Sequence, residues 1–139
     1  MAAPNQLNLT GTPPPPARVL LRVAEPEFGQ LRNIVFRRYP ELEWATFARF
    51  GWRETPRGLV LTLASLDVPC PGDLNERVGH VAIDEQYTLR MALNAEKHRL
   101  AVGVIHSHPR GCAPAPSRID DDMDTYYAKY FPDFAPNRP

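Results

Sequence analysis

The chain has 139 residues, with 16 Lys and Arg balanced by 16 Asp and Glu, and a formal net charge of zero. That length suits one domain with a modest core, and 43% hydrophobic with 23% charged residues is an ordinary globular composition. The charge balance argues against a nucleic-acid partner, no apolar run approaches membrane-span length, and the N-terminus lacks a charged-then-apolar leader, so the expected location is cytoplasmic.

Residues 1–17 are polar and proline-rich, with Pro13–Pro16 in a row, and predict a flexible lead of poly-proline II character ahead of one domain over 18–139. "ARVLLRVA" (17–24) predicts a strand. "EPEFGQLRNIVFRRYP" (25–40) predicts a helix: Phe28, Leu31, Ile34 and Val35 recur at helical spacing, Glu25 and Glu27 open it, Arg37 and Arg38 close it, and Pro40 stops it. "LEWATFARFGW" (42–52) and "GLVLTLASLDV" (58–68) predict a hairpin, with Glu43, Ala45, Phe47 and Arg49 on one face of its first strand. Residues 69–80 are a loop by composition, and 81–83 a short strand. Asp84 is the expected N-cap of a helix over 84–100, with an apolar stripe through Leu89, Ala92, Leu93 and Ala95. "LAVGVIH" (100–106) is almost continuously apolar, the pattern of a central strand buried on both faces, and 117–131 predicts a last helix. Strands alternating with helices predict a mixed α/β domain, a central mixed sheet flanked by helices. Cys70 and Cys112 are expected as free thiols, Cys112 as a small loop residue. His80 and His98 are expected as hydrogen-bonded core or rim histidines.

His106 and His108 stand one residue apart at the end of the apolar strand, so an extended backbone turns both imidazoles to the same side. Pro109 keeps His108 extended. Two converging neutral imidazoles are a metal-gripping pair, and Asp120, Asp121, Asp122 and Asp124 are candidates for a third ligand. The loop 109–116 holds three prolines and one glycine and is long enough to turn the next helix start toward the histidines. Ser117 and Asp120 share a helical face and also form a capping box. Two histidines and one carboxylate leave an open fourth position, the pattern of a catalytic zinc.

His106-Ser107-His108-Pro109, seven residues, then Ser117-Arg118-Ile119-Asp120 resembles the signature of the JAMM (MPN-plus, Mov34/PAD-1) metalloproteases, most closely their bacterial branch. The resemblance implies the MPN fold, related in architecture to cytidine deaminases. It implies that His106, His108 and Asp120 hold one zinc ion, which acidifies a water and polarises the scissile carbonyl, and that Ser117 hydrogen-bonds the oxyanion. The family's general base is a glutamate on the strand after the first helix. Glu43 matches best, although Thr46 stands where the family has a glycine and a second glycine is displaced to Gly51. Glu41 and Glu54 are its competitors, and the bland role for Glu43 is an ion pair with an arginine such as Arg49. Asp121, Asp122 and Asp124 are expected as solvated helix charges.

The implied activity is zinc isopeptidase or peptidase cleavage after the C-terminal tail of a ubiquitin-like or sulfur-carrier protein, with activating and conjugating enzymes as further partners. An extended tail could pair with an exposed strand edge, with 69–80 helping to clamp it. A non-catalytic adaptor is the alternative from another class; a zinc deaminase ranks low for want of a Cys-x-x-Cys pair. Family members usually continue past the last helix with another strand, so a short domain, or a chain that is part of a longer protein, is expected here, with the strand otherwise supplied by another polypeptide. The last eight residues are expected to form an extended tail.

Overall fold

Residues 18–77, 80–111, 113, 115–134 and 136–139 are described in a computed structural model; the proline-rich lead and Cys112 lie outside them. In chain order the elements are β1 (Arg18–Arg22), α1 (Glu25–Val35), β2 (Ala45–Thr55), β3 (Gly58–Asp67), β4 (Leu74–Arg77), β5 (His80–Ile83), α2 (Glu85–His98), β6 (Ala101–His106) and α3 (Arg118–Phe134). The fold is mixed α/β: a four-stranded sheet in the order β1-β3-β2-β6, a separate β4-β5 pair, and three helices among the described residues. None of those helices is long and apolar enough to cross a membrane.

β2 is the strand on which the core is built. Its alternating side chains feed both faces of the sheet. Ala45 and Phe47 pack with Tyr87, Met91 and Tyr127 on one side, and Ala48 and Phe50 with Leu63 and Ala101 on the other. Phe47 is fully buried and meets the rings of Tyr87, Tyr127 and Phe131 edge-on at 4.8, 5.6 and 5.9 Å. β2 and β3 form the expected hairpin, with a bulge between Arg49 and Phe50. Gly58 opens β3 at φ 126°, and a Cβ there would sit 2.0 Å from the carbonyl oxygen of Arg18, so the parallel β1-β3 pairing requires glycine.

Several expectations from the sequence are corrected. β6 is an edge strand, not the central one; only Ala101 is fully buried, because the sheet's middle place goes to β2, whose pairing with both β3 and β6 covers both its edges. α1 ends at Val35, where the chain tightens into successive turns (Arg37 N–H to Ile34 O, 3.1 Å; Tyr39 N–H to Phe36 O, 3.1 Å), so Arg37 and Arg38 lie beyond it. Arg38 instead pairs with Glu76 and covers the Trp44 ring. Phe28 is exposed, while Leu31 and Val35 are the buried pair of α1.

The loop over 69–80 contains β4, whose polar Asn75, Glu76 and Arg77 hid a strand that pairs with β5 and buries only Leu74. In α2 the Asp84 cap is present, its carboxylate accepting from Gln86 N–H at 2.8 Å. The buried stripe there runs through Tyr87, Met91 and Ala95 as well as Ala92, and leaves Leu93 exposed, because the helix turns its tyrosine toward Phe47. The C-terminal residues are not a free extended tail: α3 continues to Phe134, and Arg138 Nη1 donates to the Ala95 and Leu100 carbonyls at 2.6 and 3.2 Å, at the end of α2 and the entry to β6.

Candidate metal centre and surrounding cavity

β6 delivers the histidine pair as strand alternation requires. The two rings lie nearly parallel, 5.0 Å between centroids and 23° apart, with their Nε2 atoms 3.0 Å from each other. Ser107, between them, points the opposite way and is buried. Its hydroxyl donates to Val35 O at the end of α1 and accepts from Trp44 N–H at 3.1 Å, and its own N–H donates to Trp44 O at 3.0 Å. This serine ties the end of β6 to the segment leading into β2. Arg110 N–H adds a bond to Pro40 O at 3.0 Å, which steers the following loop back over the site.

The loop returns the chain to α3, whose first turn carries Asp120. Its Oδ1 lies 3.1 Å from His106 Nε2 and its Oδ2 4.0 Å from His108 Nε2. Three ligand atoms, two imidazole nitrogens and a carboxylate oxygen, all lie within 4.8 Å of one another, and this cluster can hold a metal ion. Ligands at tetrahedral angles about zinc, at its usual bond lengths, stand about 3.3 Å apart. The two Nε2 atoms, 3.0 Å apart, and the 3.1 Å between His106 Nε2 and Asp120 Oδ1 lie near that value, while His108 Nε2 is 4.0 Å from the other carboxylate oxygen; two imidazoles and a carboxylate are donors of the kind that hold zinc.

The capping box and the ligand set are the same residues. Ser117 N–H donates to Asp120 Oδ2 at 2.6 Å, and Asp120 N–H donates to Ser117 Oγ at 3.2 Å. Partial burial pushes the Asp120 carboxyl up. The hydrogen bonds with Ser117, and then the two nearby imidazoles, outweigh this and hold it below the usual carboxylate range. Asp120 is thus held as an anion, with one oxygen committed to the helix start and the other left facing His106.

These groups open onto a cavity of about 330 Å³. Glu43, His80, His106, His108, Asp120 and Asp124 provide its polar wall, and Ile83, Val104, Ile119, Met123 and Tyr127 part of its apolar one. Glu43 is half-buried and lies just before β2 rather than on it. Its position follows from register: β2 pairs with β6 so that Ala45 faces His106, Trp44 then bonds Ser107, and the next residue back reaches the cavity wall that His108 shares.

The ion pair considered for Glu43 does not form, because Arg49 Nε is taken by Asp67 Oδ2 at 2.8 Å. Glu41 is exposed and lines only a small neighbouring cavity, and Glu54 is exposed near the far end of β2. Ser117 is exposed at the helix start and does not line the cavity. Asp121 and Asp122 are exposed helix charges as expected, whereas Asp124, also exposed, reaches the cavity wall.

Three features escaped the sequence reading. His80 was assigned to the rim or core but stands in the same cavity wall as Glu43. Tyr127 closes that cavity from α3, and burial pushes its phenol up to about 12. Ser107 is the anchor of the histidine pair. Only Ser107 had a local signal: a residue between two that face the site must face the fold.

No family model, curated protein or solved structure matches the chain. The site therefore stands on its own residues and their geometry.

Proposed function

We propose that this protein is a zinc-dependent hydrolase that cleaves the peptide or isopeptide bond after the C-terminal tail of a ubiquitin-like or sulfur-carrier protein. The observation that carries the reading is the meeting of two imidazole Nε2 atoms and the Asp120 carboxylate at one cavity that Glu43 also lines. The order His-x-His-Pro, seven residues, Ser-x-x-Asp is similar to the JAMM metalloprotease signature, and it selects this chemistry over a structural zinc site, which would use up all four positions with protein ligands.

A zinc ion held by His106, His108 and Asp120 would supply Lewis acidity at the scissile carbonyl and an acidified attacking water. Glu43 would accept the proton of the attacking water and return it to the amine nitrogen as the C–N bond breaks. A carboxylate suits both transfers, being a base in the first and, once protonated, an acid in the second. Ser117 Oγ already accepts from Asp120 N–H, which leaves its own O–H free to donate to the developing oxyanion. Ser117 would do so from the rim, with the substrate bound across the helix start.

The cavity size favours a narrow substrate. About 330 Å³ admits a short extended segment and excludes a folded domain. β5 belongs to a two-stranded sheet and leaves one edge unpaired among the described residues, beside the cavity that His80, Val81 and Ile83 help line. An extended tail can add to that edge by main-chain hydrogen bonds.

Metal analysis of the purified protein is expected to give about one zinc per chain. Zinc-loaded protein is expected to release aminomethylcoumarin from ubiquitin, or from a bacterial ubiquitin-like or sulfur-carrier protein, linked through its C-terminal carboxylate. A protein that takes up no zinc, or that takes it up and hydrolyses no member of this panel, would overturn the reading; binding of a carrier protein without hydrolysis would point to the adaptor role.

A further inference from the structure

β6 ends one side of the four-stranded sheet, and among the described residues no strand pairs with its outer edge. The pairing with β2 decides which main-chain groups face that edge. Ala45 lies opposite His106, so Trp44 lies opposite Ser107, and Ser107 N–H donates to Trp44 O at 3.0 Å. Opposed residues of an antiparallel pair alternate between exchanging hydrogen bonds and exchanging none. Ser107, Ile105, Gly103 and Ala101 therefore turn their main-chain groups to β2, while Val102, Val104 and His106 turn theirs to the open edge.

A groove of about 330 Å³ runs beside that edge, between β6 and α3. Ala101, Val102, Gly103 and Val104 all line it. Residues of both faces of the strand thus meet it, so it follows the edge and not one face. Ala128 and Phe131 stand on its α3 wall. Val104, Asp124 and Tyr127 line both this groove and the cavity of the metal-ligand cluster, so the two spaces adjoin along β6. From Val102 to His106 the open edge extends over about 13 Å, the rise of four residue steps.

Chain direction selects the occupant. β6 runs toward the cluster, since its last residue is His106. A tail arriving with its carboxyl end at the cluster would lie parallel to β6 in this groove. The chain that follows the scissile bond starts at the cluster and runs away from it, antiparallel to β6. Antiparallel pairing is the more stable per residue, and β6 already makes it with β2 on its other edge. A lysine acceptor would instead lay a four-carbon stem, which has no hydrogen-bonding groups, along the first part of the edge.

We infer that the β6 edge binds the polypeptide segment following the scissile bond, and that the substrate is a linear precursor with a C-terminal extension of about four residues or more. This rests on the proposed hydrolase reading and names its substrate class. The tail takes the β5 edge, the extension takes the β6 edge, and the bond between them passes the metal-ligand cluster. Water supplies OH to the tail's new carboxyl group and H to the nitrogen of the extension, which leaves with a new α-amine.

The probe is the ubiquitin or carrier protein that the zinc-loaded protein cleaves as its aminomethylcoumarin conjugate, continued through a peptide bond by one, two, four or six residues. Between one and four residues kcat/KM is expected to rise about tenfold or more, with little further gain at six. N-methylation of alternate amides in the extension should lower it about fivefold, and methylation of the intervening amides should not. The same residues attached through a lysine Nε should show no such rise. Ala128→Trp, at an exposed position of α3, should bring the ratio of the four-residue to the one-residue substrate to about one. On zinc-loaded Glu43→Gln protein, the four-residue substrate should slow amide hydrogen exchange at Val102 and Val104 about tenfold, leaving Gly103 and Ile105 unchanged.

Rates independent of extension length, equal effects of methylation at every position, or an equal rise with lysine-linked substrates would each overturn the inference. Protection of Val102 and Val104 by the unextended tail would give the edge to the tail. Protection that grows with protein concentration alone would give it to a second copy of the chain. Either result overturns the inference as well. N-methylation leaves the protein unaltered, so it decides the matter if Ala128→Trp fails to fold. Failure of the hydrolase reading shows separately, as no zinc uptake or no cleavage of any aminomethylcoumarin conjugate, and the inference then falls with it.

Discussion

His106, His108 and Asp120 come from one arc of chain, a strand end, a proline-rich loop and a helix start, whereas Glu43 and His80 arrive from segments separated from that arc by at least a whole helix. The first group is placed by local geometry: strand alternation aims the two imidazoles, and the capping box orients the carboxylate. The second is placed by pairing across the sheet and by the β4-β5 hairpin. Because the strand period is two, a one-residue slip of β2 against β6 would turn Glu43 away and leave the ligand cluster untouched. The candidate metal-ligand cluster and Glu43 are thus placed independently in this fold, and Ser107 is where the two parts are joined.

The largest expected effect is on the local part. His108→Ala or Asp120→Ala should lower zinc content from about one per chain to near zero by metal analysis, and abolish hydrolysis with it, because two remaining ligands do not hold the ion. Retained zinc in either variant would break the comparison, since the arc would then not be the metal site. Glu43→Gln comes next and tests the remote part: zinc content unchanged, kcat lowered about 100- to 10,000-fold, the range for losing a general base. Normal turnover would move the base elsewhere. Loss of zinc would show that the two parts are not separable.

Ser107→Ala tests the joint. It removes the donor to Val35 O and the acceptor for Trp44 N–H, at an expected cost of about 1–3 kcal/mol in chemical denaturation. Activity should fall by more than zinc affinity does, since Glu43, next to Trp44, loses its support while the histidines remain on a paired strand. Equal losses of both would argue that Ser107 serves only the histidine pair.

The smallest effect concerns Tyr127, which packs on Phe47 and closes the cavity. Its phenol, at about 12 in the folded chain against an ordinary 10, stays neutral over a range in which the unfolded chain ionises. The stability this represents is present below pH 10 and lost as pH rises from 10 to 12, on the order of 3 kcal/mol at most. Tyr127→Phe should flatten that alkaline limb in pH-dependent melting, with zinc content unchanged. An alkaline limb identical to that of the unaltered protein would assign the loss to other groups.

Much of the candidate site was legible before folding because its chemistry lies close together in sequence. The spacing of His106, His108, Ser117 and Asp120 needs only the strand period, the helical turn and a flexible enough loop. Glu43 was singled out for a different reason, the need of the proposed hydrolysis for a carboxylate base; the structure places it at the cavity, though just before β2 rather than on it. His80 was not legible. A lone histidine after a polar stretch carries no period, and β4, which holds it in place, has the composition of a loop. The rank of the strands was equally hidden. The run 100–106 is as apolar as a central strand, yet β6 lies at the sheet edge and the more mixed β2 takes the middle.

What the sequence by itself determined is the mixed α/β class, most of the strands and helices, and the metal-ligand cluster, all set by backbone periodicity and residue chemistry within short spans. Only the tertiary structure decided that Arg49 belongs to Asp67 rather than to Glu43, that Ser107 binds the two parts together, and that His80 joins the cavity wall. The physical reason is that sheet register and hairpin placement are selected by burying Phe47 and its aromatic neighbours, a cooperative choice made by the whole core that no short stretch of chain contains.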